Sequence, residues 1–153
     1  GNYSPSAEFN IAVDPEAAAI VFGEDWPVVM VGLDLTHQAL ATPEVEAEIK
    51  TLETPVSEFV AAFGFFRKAY QANQGFDNPP VHDPCTIAYL IDPNIVQTRK
   101  APVHVELAGA LTTGMTVTDL REPADASCHT QVATTLDHAG FWRLVTDALK
   151  NLA

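Results

Sequence analysis

A short, continuous apolar run within residues 27–34 restricts the fold more than any other feature of this sequence. It is rich in β-branched residues and lacks polar alternation, which is typical of a strand covered on both faces in a parallel sheet. A helix signal precedes it, with Asp14 suited to the N-cap, Pro15 to the first helical position and Gly23 to the end. A helix followed closely by a buried strand is half of an α/β unit.

Local patterns predict the other helices and strands. The predicted helices are residues 17–22, 42–50 with Thr42 as the cap, 56–71 with an apolar face that includes Phe59, 85–91 with Asp83 as the cap, and 141–152 capped by Asp137. The strand candidates at 101–108, 115–120 and 131–136 have alternate polar residues, which favours a hairpin or meander at a sheet edge. We therefore expect an α/β fold, an open and mostly parallel sheet with flanking helices and a late antiparallel strand pair.

Length and charge limit the classes of function. With 153 residues the chain can form one globular domain with its own core. The net charge of −12 disfavours binding to nucleic acids or anionic membranes, because both need clustered Lys and Arg. Acidic residues promote solubility and can also hold a divalent cation, and the charge alone does not separate these two roles.

The cysteines and the lengths of the apolar segments indicate in which cellular compartment the protein is expected. Cys85 and Cys128 form no CxxC pair, so we expect reduced thiols in a cytoplasmic protein. No apolar run reaches the roughly 18 residues of a membrane span. We therefore expect no membrane association.

Chemistry is predicted first at residues 81–85, where a histidine and an aspartate precede a helix. His82 can donate a proton near neutral pH. Asp83 stands where a helix N-terminus favours an anion, and it is either a simple cap or a ligand of a hard cation such as Ca²⁺. The two roles are compatible, but one carboxylate is not a metal site and its partners must come from elsewhere.

Two further sets of residues are candidates for ligand binding. Glu8 and Asn10 would face the same way in an extended segment, with Asn2 nearby, and a carboxylate beside amides suits sugar hydroxyls. The alternative is a polar loop anchored by its aromatic residue. The aromatic residues of the 56–71 helix are core residues by default, and one of them is a candidate to line a pocket for a planar group. His37 follows the buried strand, at the edge where α/β folds place ligands.

Four segments taken together resemble the calcium-dependent nucleoside hydrolases, both the inosine-uridine preferring and the pyrimidine-preferring types. The segments are Asn2 with residues 7–10, residues 13–18, residues 33–37, and residues 82–90, and the resemblance runs from Gly1 to about Leu152. Each segment is a weak signal alone, whereas their order and spacing make a strong match.

This resemblance implies an enzyme that uses water to cleave the N-glycosidic bond of a purine or pyrimidine ribonucleoside, with a bound Ca²⁺. Asp83 matches a calcium-ligating aspartate, and His82 matches the histidine assigned as the leaving-group acid. The remaining matches are Asn2, Glu8 and Asn10 for the ribose hydroxyls, and Phe66 and Tyr70 for the base pocket.

One part of the family pattern has no counterpart in these residues. The N-terminal Asp-Thr-Asp-Pro-Gly-x-Asp-Asp cluster supplies most calcium ligands and the catalytic base in the family. The resemblance therefore implies that residues 1–153 are a single unit, the C-terminal half of a nucleoside hydrolase domain. We expect negligible metal binding and turnover by this half alone, exposed apolar faces near residues 28–33, and a partner.

The expected partner is the missing N-terminal half or a second copy of the chain in a homo-oligomer. Two alternatives stay open for the chain itself. One is a non-catalytic ribose- or nucleoside-binding remnant of the fold. The other is a structural domain in which the candidate site residues serve only as helix caps and polar loop residues.

Overall fold

A computed structural model describes residues 1–61 and 64–152, without the side chains of residues 61, 64–66, 69 and 74. The helices are α1 (Phe9–Val13), α2 (Pro15–Gly23), α3 (Leu33–Thr36), α4 (Pro43–Lys50), α5 (Pro55–Ala61), α6 (Gly64–Gln74), α7 (Asp83–Ile91) and α8 (His138–Asn151), with a 3₁₀ turn at Pro93–Ile95. The strands are β1 (Val28–Met30), β2 (Val96–Lys100), β3 (Val103–Val105), β4 (Thr116–Thr118) and β5 (Thr130–Leu136).

Side-chain caps start three of the predicted helices. Asp14, Thr42 and Asp137 each accept a hydrogen bond from a backbone N–H in the first turn of α2, α4 and α8. Proline occupies the first turn of α2 and α4, where its missing N–H costs nothing. The three predicted helix starts are confirmed, because capping depends only on residues close in sequence.

In the described residues the main sheet has three strands, in the order β1-β5-β2. β1 is parallel to β5, with Val28 opposite Thr130 and Met30 opposite Val132, which confirms the predicted parallel strand. β1 is half-buried rather than covered on both faces. The prediction that residues 131–136 lie at an edge is wrong, since β5 is the central strand. Its polar residues are mostly threonines, and Thr130 is only 3% exposed, so a β-branched side chain takes a core position.

The late strands β3 and β4 form a separate antiparallel pair, with Val103 opposite Thr118 and Val105 opposite Thr116. The predicted antiparallel strand pair is therefore confirmed. A small apolar cluster lies beside it and consists of Ala101, Val103 and Val132, with Phe22 of α2 and Met30 of β1 packed against it. β2 was not predicted, because its sequence is mainly polar and its burial is set by its neighbours.

The predicted helix at 56–71 is described as α5 and α6, and residues 62–63 lie outside the described residues. Phe59 was expected on the buried face but is 72% exposed. Ser57 of the same helix is fully buried. Residues two apart on a helix point about 200° apart, so the burial of Ser57 turns Phe59 outward. Phe66, a predicted base-pocket residue, has a side chain outside the described set.

The chain divides into two compact units. Unit 1 consists of Gly1–Leu33 and Thr98–Thr134, and unit 2 of Asp34–Gln97 and Thr135–Ala153. In unit 2, Leu35, Cys85 and Phe141 are fully buried, and Phe141 packs edge to face on Trp142 with ring centroids 5.2 Å apart. Cys85 Sγ donates to the backbone oxygen of Val81 at 3.3 Å, which connects this core to the loop before α7.

Three exposed apolar side chains lie on α7. Ile87, Leu90 and Ile91 are 57%, 75% and 66% exposed and share one helix face by their three- and four-residue spacing. Residues 28–33, expected to be exposed, are half-buried. Packing of β1 against β5 covers this segment, which corrects the expected position of the apolar surface. Within the described ranges, no helix combines the length and apolar character needed to cross a membrane.

Candidate active site

Unit 2 contains a cavity of about 470 Å³, a size typical of small-molecule sites. Its apolar walls come from α4, the loop before α7, and α8, and include Val45, Ile49, Pro80, Trp142 and Leu149. Its polar lining is Glu46, Tyr70, His82 and Asp83. Three of the residues predicted from sequence, Tyr70, His82 and Asp83, therefore line one cavity. An apolar cavity with a few polar side chains can hold a planar heterocycle and orient it.

His82 immediately precedes α7 and is positioned by contacts from other elements. Its side chain does not cap the helix. Instead Nδ1 lies 2.8 Å from the hydroxyl Oγ1 of Thr36. The rings of Tyr70 and His37 lie near it, with centroids at 6.4 and 5.7 Å. The imidazole is therefore held by a hydrogen bond and by two aromatic neighbours.

Asp83 is not the cap that the sequence suggested. It is the first residue of α7, and the capping position belongs to His82, whose backbone is helical rather than extended. A capping side chain needs an extended backbone to reach back to the free N–H groups, which explains the absence of that bond. The Asp83 side chain is exposed and accepts no hydrogen bond from the described residues. Its carboxylate can therefore act as a ligand.

The predicted ribose-binding residues lie together in unit 1, but not in an extended segment. Glu8 is the N-cap of α1 and accepts hydrogen bonds from the backbone N–H groups of Asn10 and Ile11, at 2.9 and 3.4 Å. Asn10 Nδ2 also donates to Glu8 Oε1 at 3.2 Å, and Asn2 Oδ1 accepts from Phe9 N at 2.8 Å. Free N–H groups at a helix start attract a carboxylate, so the cap replaces the predicted extended geometry.

Thr36 and His37 of unit 2 lie beside His82, and of the two only His37 was a candidate from the sequence. Thr36 is buried, and His37 packs edge to face on Phe76 with centroids 4.8 Å apart. Nε2 of His37 is buried and has no hydrogen-bond partner among the described residues. Burial, and to a lesser degree the charge of His82, lower the pKa of His37. The sequence signals were the position of His37 after the buried strand and the match of residues 33–37 to a family segment.

An arginine network, also not predicted, borders the cavity. Arg67 of α6 donates to Glu46 Oε1 at 2.6 Å and to the backbone oxygen of Ala41 at 3.1 Å, and it also donates to Asn78. Glu46 lines the cavity. The guanidinium group therefore ties α6 and the loop that follows it to α4, the helix that forms one cavity wall.

Metal binding and thiol chemistry are limited by the donors present. Nowhere in the described residues do three or more His, Cys, Asp or Glu side chains converge. Ca²⁺ takes 6–8 oxygen ligands, so the described residues do not by themselves fit this ion. Burial raises the pKa of the Cys85 thiol to about 11, which excludes it as a nucleophile near neutral pH.

Sequence comparison identifies a family for this arrangement. The family model described as inosine-uridine preferring nucleoside hydrolase matches residues 1–143. The inosine-uridine preferring nucleoside hydrolase of Crithidia fasciculata is 52% identical over an alignment that covers 99% of this chain and 49% of the relative. The pyrimidine-specific ribonucleoside hydrolase RihA of Shigella boydii is 44% identical over 98% of this chain and 49% of its own length.

Solved structures agree in fold. A purine-preferring ribonucleoside hydrolase from Gardnerella vaginalis matches with a TM-score of 0.85 and 32% identity, over 100% of this chain and 50% of that one. The plant nucleoside hydrolase PpNRh1 matches with a TM-score of 0.83 and 26% identity, over 98% and 49% of the two chains. The predicted fold class is confirmed. The chain spans about half the length of the curated relatives it matches.

Proposed function

This chain belongs to the inosine-uridine preferring nucleoside hydrolase family, and from that membership we propose that it forms the C-terminal half of a domain that hydrolyses ribonucleosides. The reaction is hydrolysis of the N-glycosidic bond to free base and ribose. The relatives include inosine-uridine preferring, pyrimidine-specific and purine-preferring enzymes, so the proposal covers ribonucleosides of either base class.

The observation that carries the proposal is the cavity of unit 2, which Tyr70, His82 and Asp83 line together. We assign the cavity to the base of the nucleoside. Its apolar walls suit a planar ring, and Tyr70 supplies an aromatic face. His82 is assigned as the donor of the proton that the departing base needs, because histidine titrates near neutral pH. Phe66 is retained as a second base-pocket candidate from the family resemblance.

We assign the ribose hydroxyls to Asn2, Glu8 and Asn10. Support comes from hydrogen bonds at the start of α1, where Asn10 donates to Glu8 and Asn2 accepts from the backbone N–H of Phe9. A carboxylate accepts hydrogen bonds from hydroxyl groups, while amides both donate and accept. This donor and acceptor set suits adjacent hydroxyls on a sugar.

We assign Asp83 as one ligand of a Ca²⁺ ion whose remaining ligands come from outside these 153 residues. The exposed carboxylate of Asp83, without a described hydrogen bond, is consistent with this role. Bound Ca²⁺ supplies charge that holds hydroxyl and water oxygens. The aspartate-rich N-terminal cluster of the family is the proposed source of the other ligands and of the general base.

The proposed half-domain requires a partner. We propose the N-terminal half of the same domain, with assembly into a homo-oligomer, and a cytoplasmic location, which the free Cys85 and Cys128 support. The exposed apolar face of α7 (Ile87, Leu90 and Ile91) is the type of surface that an assembly covers. Size-exclusion chromatography should therefore show association, and a well-folded monomer that stays monomeric at high concentration would contradict this part of the proposal.

The activity of the chain itself is tested by assaying uridine and inosine hydrolysis in excess Ca²⁺. The expected turnover of the 153-residue chain alone is negligible, since the general base and most metal ligands are absent from its sequence. Appreciable turnover would overturn the half-domain proposal. The control is the chain with His82→Asn, which should be indistinguishable from the parent in this assay.

A second candidate function, a non-catalytic ribose- or nucleoside-binding remnant, is favoured by one observation. The described residues keep a ribose-type polar cluster at Glu8 and a base-sized cavity at His82, yet they bring no three metal-binding side chains together. Thermal unfolding with ribose, uridine or inosine separates the candidates. Protection by nucleoside without hydrolysis in any assembly supports the remnant, and no protection by any of them supports a structural domain.

A further inference from the structure

Thr36 and His82 form a contact between residues 46 positions apart in the chain. Thr36 is the last residue of α3 and is 3% exposed. Its Oγ1 lies 2.8 Å from Nδ1 of His82, which is within the usual range for a hydrogen bond from a hydroxyl. The hydroxyl therefore sits at one defined nitrogen of the imidazole.

The hydroxyl proton of Thr36 decides which of the two residues donates in this hydrogen bond. A buried hydroxyl group that donates to nothing loses about 1–3 kcal/mol, so buried hydroxyls almost always donate. The bond to His82 is the one hydrogen bond of the Thr36 side chain within the described residues. Thr36 therefore donates to Nδ1, and an Nδ1 that accepts has no proton in the neutral ring. The ring proton is then on Nε2.

We propose that Thr36 is a positioning residue that holds the His82 ring through Nδ1, so that the neutral ring rests as the Nε2–H tautomer and Nε2 is the nitrogen directed to the departing base. This inference rests on the proposed function, which assigns His82 to the leaving group. The proton donor is the doubly protonated ring, which becomes neutral with its remaining proton on Nδ1 when Nε2 gives its proton to the base. A threonine hydroxyl suits this step because it can donate to a bare Nδ1 in the resting ring and accept from Nδ1–H before and after the proton transfer. A carboxylate at the same place would instead favour the Nδ1–H tautomer.

The neighbouring rings support a fixed orientation. His37 and Tyr70 lie 5.7 and 6.4 Å from the His82 ring, measured between centroids. These contacts limit the position of the ring, but neither of them distinguishes one nitrogen from the other. The Thr36 hydroxyl, in contrast, contacts one specific nitrogen of the ring, Nδ1.

The direct test is ¹⁵N NMR of the histidine side chains in the full 153-residue chain at about pH 8, where an ordinary histidine is neutral. The His82 signals are identified by their loss in His82→Asn. We expect an unprotonated Nδ1 and a protonated Nε2 in the parent chain. Thr36→Ser keeps the hydroxyl and should preserve this pattern, whereas Thr36→Val and Thr36→Ala should shift it towards a mixture of tautomers.

Two results would overturn the inference: an Nδ1–H tautomer in the parent chain, or an unchanged pattern in both variants that lack the hydroxyl. Thr36→Val is close in shape, and Thr36→Ala provides a second hydroxyl-free chain if the first does not fold, as judged by circular dichroism. A residue with only a packing role would lower stability in these variants without changing the tautomer.

Measuring kcat and KM for nucleoside hydrolysis in an assembled enzyme distinguishes a failure of the Thr36 role from a failure of the proposed function. When the chain is mixed with an N-terminal half from a relative, Thr36→Val should lower kcat about tenfold or more with little change in KM, a fraction of the roughly 100- to 10,000-fold contribution of a general acid. Thr36→Ser should restore most of the rate. If no assembly hydrolyses nucleosides, the proposed function fails, while the NMR result still decides the tautomer.

Discussion

The rings of His37 and His82 meet edge to face 5.7 Å apart, and Nε2 of His37 is buried with no hydrogen-bond partner in the described part of the chain. Phe76 contacts the His37 ring at 4.8 Å between centroids. An unpaired buried polar atom costs about 1–3 kcal/mol. The surroundings of His37 therefore suit an apolar aromatic ring better than an imidazole with an unpaired nitrogen.

Replacing His37 with phenylalanine is expected to leave the free energy of unfolding unchanged or to raise it by about 1 kcal/mol near pH 7. The variant keeps the edge contact with Phe76 and removes the unpaired nitrogen. Urea unfolding measures the change, with His104→Phe on strand β3 as an exposed control. A loss of more than about 1 kcal/mol in His37→Phe would indicate that Nε2 has a partner that stabilises the fold.

The lowered pKa of His37 predicts a pH dependence of stability. Burial is the main cause and the charge of His82 adds to it, while Asp34 opposes them. The unfolded chain therefore takes up a proton on His37 more readily than the folded chain. Stability is complete above the ordinary value of 6.5 and falls as the pH decreases below it. Unfolding measured from pH 8 to 5 should show this decrease, and His37→Phe should make it shallower. An equally steep decrease in the variant would assign it to other groups.

Substitution of Glu8 is expected to lower both the stability of the fold and the binding of ribose. Glu8→Ala removes the acceptor for two backbone N–H groups of α1 and should cost about 0.5–2 kcal/mol. Glu8→Gln keeps an oxygen acceptor, so its cost should be smaller. If Glu8 also binds ribose hydroxyls, both variants should lose thermal protection by ribose in an assembly that shows it. Full protection in Glu8→Gln together with a lost cap in Glu8→Ala would restrict Glu8 to the capping role.

The Arg67–Glu46 pair is predicted to stabilise the cavity wall. The two side chains are 22% and 20% exposed, so the pair is only partly screened by water. Arg67→Met should lower the free energy of unfolding by about 1–3 kcal/mol, because it leaves Glu46 and Asn78 without this partner. Glu46→Gln keeps an acceptor and should cost less.

The matched control for Arg67→Met is Arg121→Met. Arg121 pairs with Asp119 at 2.7 Å, but its side chain is 87% exposed, so the change in stability should be small. Chemical unfolding of the two variants compares a partly buried ion pair with an exposed one in the same chain. Equal effects would show that burial does not strengthen the Arg67 pair.

The sequence was informative where the physics is local. Asp14, Thr42 and Asp137 were predicted as helix caps because a cap involves a side chain and N–H groups two or three residues away. The candidate residues His82 and Asp83 stood out for the same reason, at a helix start. The family resemblance then supplied roles that no local pattern contains.

The contacts that could not be predicted join distant residues. Thr36 and His82 are 46 positions apart, and Arg67 lies 21 positions from Glu46. No spacing rule connects such pairs, because the fold decides which side chains meet. The central position of β5 has a similar cause, since alternate polar residues indicate an edge strand in sequence, whereas the strand lies between β1 and β2 in the fold and Thr130 is buried there.

Hydrolysis of uridine and inosine by mixed halves tests the central claim most directly. The 153-residue chain is mixed with the complementary N-terminal half of the Crithidia fasciculata relative, which shares 52% identity with it, in the presence of Ca²⁺. We predict that neither half releases base alone, that the mixture does, and that His82→Asn lowers its kcat by about 100-fold or more. Hydrolysis by this chain alone, or an active mixture that is unaffected by His82→Asn, would contradict the account.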